Sequence, residues 1–154
     1  MPAIFFLLLA AVGNSGCATS PTGRKQLILM PDSQMNALGA QAFADLRRSS
    51  PTEADPALNG YVRCVAEPIL ALSGSSIPAE KWEIVVFKDS SANAFALPGG
   101  KIGVHTGLLK VAVTPAQLAT VLGHEVGHVL ARHGNERVSE GLVAQGGLAA
   151  LGSI

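Results

Sequence analysis

The chain has 154 residues, enough for one domain with a core and too few for two. Eleven basic residues balance eleven acidic ones, and no stretch gathers positive charge into a stripe that could follow a phosphate backbone, which argues against a nucleic-acid partner. Hydrophobic residues make up 48% of the chain, with part of that excess at the two ends, so the middle has the composition of an ordinary soluble domain.

The opening segment MPAIFFLLLAAVGNSGC carries an apolar run from Ile4 to Val12, shorter than the roughly 20 residues a membrane-crossing helix needs. Residues 1–16 therefore read as a secretory signal. Cys17, preceded by Ser15-Gly16 and followed by Ala18-Thr19-Ser20, resembles the lipidated cysteine of a bacterial lipobox. That resemblance implies a lipid anchor at Cys17, with residues 17–30 as its tether. An ordinary cleaved signal and a buried N-terminal segment are the alternatives. With Cys17 lipidated, Cys64 has no partner for an internal disulfide. It lies in LNGYVRCVAEPILAL, where Leu58, Tyr61, Val62, Val65, Ile69 and Leu72 recur at helical spacing, and it reads as a small buried thiol. Two cysteines so placed do not make a metal site.

Next along the chain, DSQMNALGAQAFADLRRS puts Met35, Leu38, Ala42 and Leu46 on one face, with Asp32 or Ser33 as cap and two arginines in the last turn. This predicts a first helix. A second is expected from Pro56 to Leu72, broken by SGSSIPAEK. WEIVVFKD, NAFALP and KIGVHTG predict three extended segments, with Pro98-Gly99-Gly100 as the turn between the last two. Trp82 should pack on the sheet, His105 should be a strand-end side chain, and Tyr61 a core-edge aromatic. For the third helix Thr114 is the N-cap, Pro115 suits the first helical position, Gln117 completes a capping box and Gly134 supplies the stop. The tail from Gly141 reads as a helix with small residues, as a segment resting on a membrane, or as a surface for further sequence. An α+β fold, helices on a small mixed sheet, is the expected architecture.

The third helix carries His124-Glu125-Val126-Gly127-His128. Residues four apart on a helix differ by about 40° of rotation and 6 Å of rise, so both imidazoles can meet one tetrahedral cation. Glu125 points about 100° away, too divergent for a ligand yet able to reach a water at the metal as general base. Apolar neighbours at Leu118, Val121, Leu122, Val126, Val129 and Leu130 imply burial, and buried histidines without a shared partner are costly. Gly123 and Gly127 suit a place where another segment or a substrate approaches the backbone closely. The metzincin extension is excluded, because Ala131 and Gly134 stand where it needs Gly and His. His133 reads as a solvent-facing histidine that favours the C-terminal end of the helix dipole. The plain alternative is a pair of histidines that only satisfy hydrogen bonds.

NAFALPGGKIGVHTGLL followed by TPAQLATVLGHEVGHVLARHGNERVS resembles peptidase family M48, the gluzincin zinc metallopeptidases that include HtpX-like membrane proteases, CAAX-processing proteases and periplasmic lipoproteins. The resemblance implies a zincin-like fold with the motif on a central helix, one zinc ion held by His124 and His128, and Glu125 as catalytic base. It also implies that Asn93, Ala94, Phe95, Ala96, Leu97, Pro98, Gly99 and Gly100 border the cleft and hold an extended substrate by main-chain pairing. Residues 31–154 would be the N-terminal part of the peptidase domain. The third ligand in such families is a glutamate on a later helix. Glu136 and Glu140 are the acidic candidates after His128; a continuing helix would put Glu136 about 12 Å along it and out of reach, whereas a sharp turn at Gly134 would bring one back. The expected protein is a periplasmic metalloendopeptidase, lipid-anchored to the outer membrane and acting on envelope or membrane-associated proteins. Soluble secretion is the alternative localisation, and a non-catalytic, chaperone-like zinc-binding fragment the alternative function.

Overall fold

A computed structural model describes residues 17–151; the signal read at 1–16 lies outside the described residues. The described part starts with an antiparallel hairpin, β1 (Cys17–Thr19) and β2 (Lys25–Leu27), within the stretch read as a tether. Helices α1 (Asp32–Ser49) and α2 (Pro56–Leu72) follow. Strands β3 (Glu83–Phe87), β4 (Ala94–Leu97) and β5 (Lys101–His105) form a mixed sheet in the order β3-β5-β4, with β5 parallel to β3 and antiparallel to β4. Two helices close the fold, α3 (Pro115–Leu130) and α4 (His133–Leu151). This is an α+β architecture.

The period-two alternation of a strand sorts the sheet's side chains onto two faces. Ile84, Val86, Ala94, Ala96, Ile102 and Val104 share one face by register. They meet Val62, Ala66 and Leu70 of α2 and Leu118, Leu122 and Val126 of α3 in the main core, which Trp82 joins. The opposite face carries Phe87, Phe95 and His105. Phe43 of α1 packs edge-on to Phe87 and Phe95, with ring centroids 6.0 and 6.3 Å away. The sheet is therefore a middle layer, with α1 on one side and α2 with α3 on the other.

Two glycines set the spacing of these layers. A Cβ on Gly103 would lie 2.1 Å from the Phe95 ring, so only glycine lets that ring lie across β5. A Cβ on Gly39 would lie 2.1 Å from the Pro98 carbonyl oxygen, so α1 touches the β4–β5 turn backbone to backbone. This contact explains a departure from the sequence pattern: the buried face of α1 is Met35, Gly39 and Phe43, and Leu38 is half-exposed. The cap differs too. Pro31 takes that place without a side-chain bond, and Asp32 in the first turn pairs instead with Arg132. On α2 the buried stripe of Val62, Ala66 and Leu70 leaves Cys64 exposed, contrary to the buried thiol expected.

Gly39→Ala should lower stability by roughly 1–3 kcal/mol, the usual cost of overpacking. Gly60→Ala, inside α2 with open space around it, should gain about 1 kcal/mol from helix propensity. Urea denaturation of the two variants checks the contrast; equal effects would remove the α1–turn contact from this role.

Candidate active site

Helix α3 starts as the sequence dictates. Thr114 caps it, Pro115 opens it, and Thr114 and Gln117 exchange both bonds of a capping box. Leu118, Leu122 and Val126 fasten it to the core, so the face carrying His124 and His128 has a fixed direction. The two Nε2 atoms lie 2.9 Å apart, with the rings near perpendicular at 80°. Ligand nitrogens on a tetrahedral zinc with bonds near 2.0–2.1 Å stand about 3.3–3.4 Å apart, so a side-chain adjustment of a few tenths of an ångström would fit the pair to one ion. His124 is exposed, and His128 and Glu125 are half-buried. The burial expected from the apolar neighbours is thus confined to the opposite face of α3, and the case for a metal rests on convergence of the nitrogens rather than on desolvation. Nothing lies within 4 Å of a Cβ built on Gly123 or Gly127; among the described residues no segment makes the close approach expected there.

Glu125 and His128 border a cleft of about 700 Å³. Its other wall is the end of β4 and the following turn, with Phe95, Ala96, Leu97 and Pro98. β4 is the edge of its sheet. His105 N–H donates to the Asn93 carbonyl, so alternation along the antiparallel ladder turns the amide and carbonyl of Ala94 and Ala96 toward the open edge. Of the other residues read as bordering the cleft, Asn93 is exposed at the far end of the strand. Ala94 is buried in the core, Gly99 rests on the Asn36 carbonyl, and Gly100 is buried beside Ile77 and Trp82. His105 ends β5, with Nδ1 2.7 Å from Ser91 Oγ, outside the cleft.

The exit from α3 is where sequence and structure part. Gly134 does not stop the helix. Ala131 is its C-cap, and Arg132 turns the chain with φ 56°, the left-handed region that side-chain-bearing residues avoid. Several bonds hold this corner. Ala131 N–H donates to Gly127 O, Arg132 N–H to Val129 O, and the Arg132 guanidinium to Asp32. The Gln26 amide donates to Ala131 O at 2.8 Å. His133 therefore opens α4 instead of trailing α3, which removes the C-terminal dipole role read for it. It is half-buried, with Nδ1 2.6 Å from Nδ1 of His128.

The corner also settles the partner of Glu136. Arg24 donates both ends of its guanidinium to the Glu136 carboxylate at 2.6 and 2.5 Å, and Gln26 adds a third bond at 3.3 Å. Hydrogen bonding from Arg24 holds the Glu136 carboxyl below the ordinary glutamate range. One turn on, Ser139 Oγ accepts from Leu29 N–H, while the Asn135 amide donates to Met30 O at 2.7 Å. Among the described residues no three His, Cys, Asp or Glu side chains converge to hold a metal. Sequence reasoning missed Arg24, Gln26, Asn135 and Ser139 altogether. The one available signal was the i,i+4 spacing of Asn135 and Ser139.

The model of peptidase family M48 matches residues 56–153. Relatives include the mitochondrial metalloendopeptidase OMA1 of Arabidopsis thaliana, 47% identical over 44% of this chain and 14% of its own. OMA1 of Schizosaccharomyces pombe is 44% identical over 51% of this chain and 23% of its own. The β-barrel assembly-enhancing protease of Yersinia pestis is 30% identical over 82% of this chain and 24% of its own. The chain thus spans at most about a quarter of the length of these relatives.

A carboxyl whose folded pKa is depressed contributes stability above its unfolded pKa and loses it as the pH falls through the folded value. Arg24→Ala should therefore melt below the wild type at pH 7, with the gap narrowing only as the pH drops under the ordinary carboxylate range and through the lowered folded value of Glu136, where the wild type loses that charge as well. Thermal melts from pH 7 to 3 check this; a gap independent of pH would take the ion pair out of the account.

Proposed function

Because the chain belongs to peptidase family M48, we propose that it is the motif-bearing part of a zinc-dependent metalloendopeptidase with a zincin-like fold. The observation that carries the reading is the convergence of His124 and His128 Nε2 on α3, with the half-buried Glu125 beside them under the open edge of β4. His124 and His128 would hold the ion; zinc, when bound, supplies Lewis-acid activation of water and of the scissile carbonyl. Glu125 would accept the proton of the attacking water on its carboxylate and pass it to the leaving amine. The outward amide and carbonyl of Ala96 would pair with an extended substrate backbone, with Phe95, Leu97 and Pro98 lining the side-chain path. Three protein ligands are the rule for a catalytic zinc, and this chain's described residues provide two.

The alternative reading is a zinc-binding module that engages proteins without cutting them, and a cleavage assay separates the two. The wider assignment keeps residues 1–16 as signal, Cys17 as lipidation site, 17–30 as tether and 31–154 as the N-terminal part of the peptidase domain. It describes a periplasmic protein anchored to the outer membrane and acting on envelope proteins. The relatives named β-barrel assembly-enhancing proteases support that substrate class, and the lipobox-like sequence supports the anchor.

Zinc titration of the chain should give one ion, with affinity reduced at least about tenfold, 1.4 kcal/mol, in His124→Ala and in His128→Ala. Glu125→Gln should keep the zinc and lose about 10²–10⁴ in cleavage of an unfolded protein substrate. Zinc binding without cleavage in the parent chain favours the module, and cleavage that survives Glu125→Gln removes Glu125 from the base role.

A further inference from the structure

His133 takes no part in the reading above, yet it touches the site at its inner end. Its Nδ1 lies 2.6 Å from Nδ1 of His128, with ring centroids 4.9 Å apart. Two neutral imidazole nitrogens so close are one donor and one acceptor. The other nitrogen of His128, Nε2, faces His124 at 2.9 Å. A histidine that ligates through Nε2 must carry its proton on Nδ1, and an acceptor at Nδ1 fixes both that tautomer and the plane of the ring.

We propose that His133 is the positioning residue of His128: it accepts the Nδ1–H of His128 and so keeps the Nε2 lone pair turned to the side where His124 stands. The opposite polarity, with His133 donating, would put the His128 proton on Nε2 and block it. The backbone explains why a residue five positions on can do this. The left-handed Arg132 reverses the chain, and His133, as first residue of α4, comes back against the last turns of α3. Gln26 on Ala131 O and Asp32 on Arg132 hold that reversal from outside the helix pair. The function of this contact, though not the contact itself, rests on the reading of His124 and His128 as zinc ligands.

The test uses the full chain and four proteins: wild type, His133→Ala, His133→Asn and His124→Ala. Long-range ¹H–¹⁵N spectra of the rings in zinc-free protein read the tautomer of His128, and competition with a chromophoric chelator reads zinc affinity. His128 should be the Nδ1–H tautomer in the wild type and lose that preference in His133→Ala. Zinc affinity should fall about 10–100-fold in the same variant without a matching fall in melting temperature. His133→Asn, whose amide oxygen can accept the same proton, should restore most of both. A wild-type His128 protonated on Nε2, or zinc affinity unchanged in His133→Ala while His124→Ala loses it, would overturn the proposal. Unchanged affinity in His124→Ala would instead overturn the ligand reading, and the tautomer would still decide whether His133 sets the ring.

Discussion

The arrangement around the motif depends on one strained residue, Arg132. A left-handed conformation costs a side-chain-bearing residue roughly 1–2 kcal/mol and persists only where its surroundings over-determine it. Here they do so from three directions: the last carbonyls of α3, the Gln26 amide, and Asp32 at the start of α1. Had α3 run on to Gly134, Glu136 would stand about 12 Å along it from His128, with no route to Arg24. With the reversal at Arg132, α4 turns Asn135, Glu136 and Ser139 toward residues 24–30 and sets His133 on His128. No buried side-chain polar atom among the described residues is left without a partner, so the seam between this segment and α4 carries no uncompensated desolvation.

The second constraint is the thickness of the sheet layer. α3 lies against the Ala94, Ala96, Ile102 and Val104 face, and small alanines on β4 let the helix come close to the edge strand. On the other face Phe95 lies over Gly103 and α1 rests on Pro98. A cleft between helix and edge keeps its width only if both walls are rigid. One is pinned by the α2–α3 core and the other by the α1–turn contact, and neither depends on the polar groups inside the cleft.

What could be read in advance follows from the range of the signals. The capping box, the limits of α2 and the three strands are local patterns, and the sequence displays them at the right positions. The inward face of α1 is not local. Gly39 is buried because a turn about sixty residues later needs its missing Cβ, and no hydrophobicity pattern marks a glycine as core. Cys64 shows the converse limit, since helical spacing on α2 was satisfied by a neighbouring stripe. The bonds from residues 24–30 to α4 join residues more than a hundred positions apart, and nothing near either end announces the other. Gly134 misled because glycine is the commonest helix stop, whereas tertiary bonds at this corner made an arginine serve.

The three histidines also constrain one another through their protons. Each neutral ring has one N–H, and His128 is in contact at both nitrogens. If it donates from Nδ1 to His133, its Nε2 is an acceptor, and the facing Nε2 of His124 must be the donor. His128 then already has the tautomer that ligation requires, and His124 has the other one. Zinc entry asks for one tautomer change, and it falls on His124, which is exposed to water that can carry the proton from Nε2 to Nδ1. With the polarity reversed, the change would fall on His128, half-buried and in contact with a ring on each side. Placing the acceptor at the inner end of the array therefore leaves the rearrangement to the histidine best placed to make it.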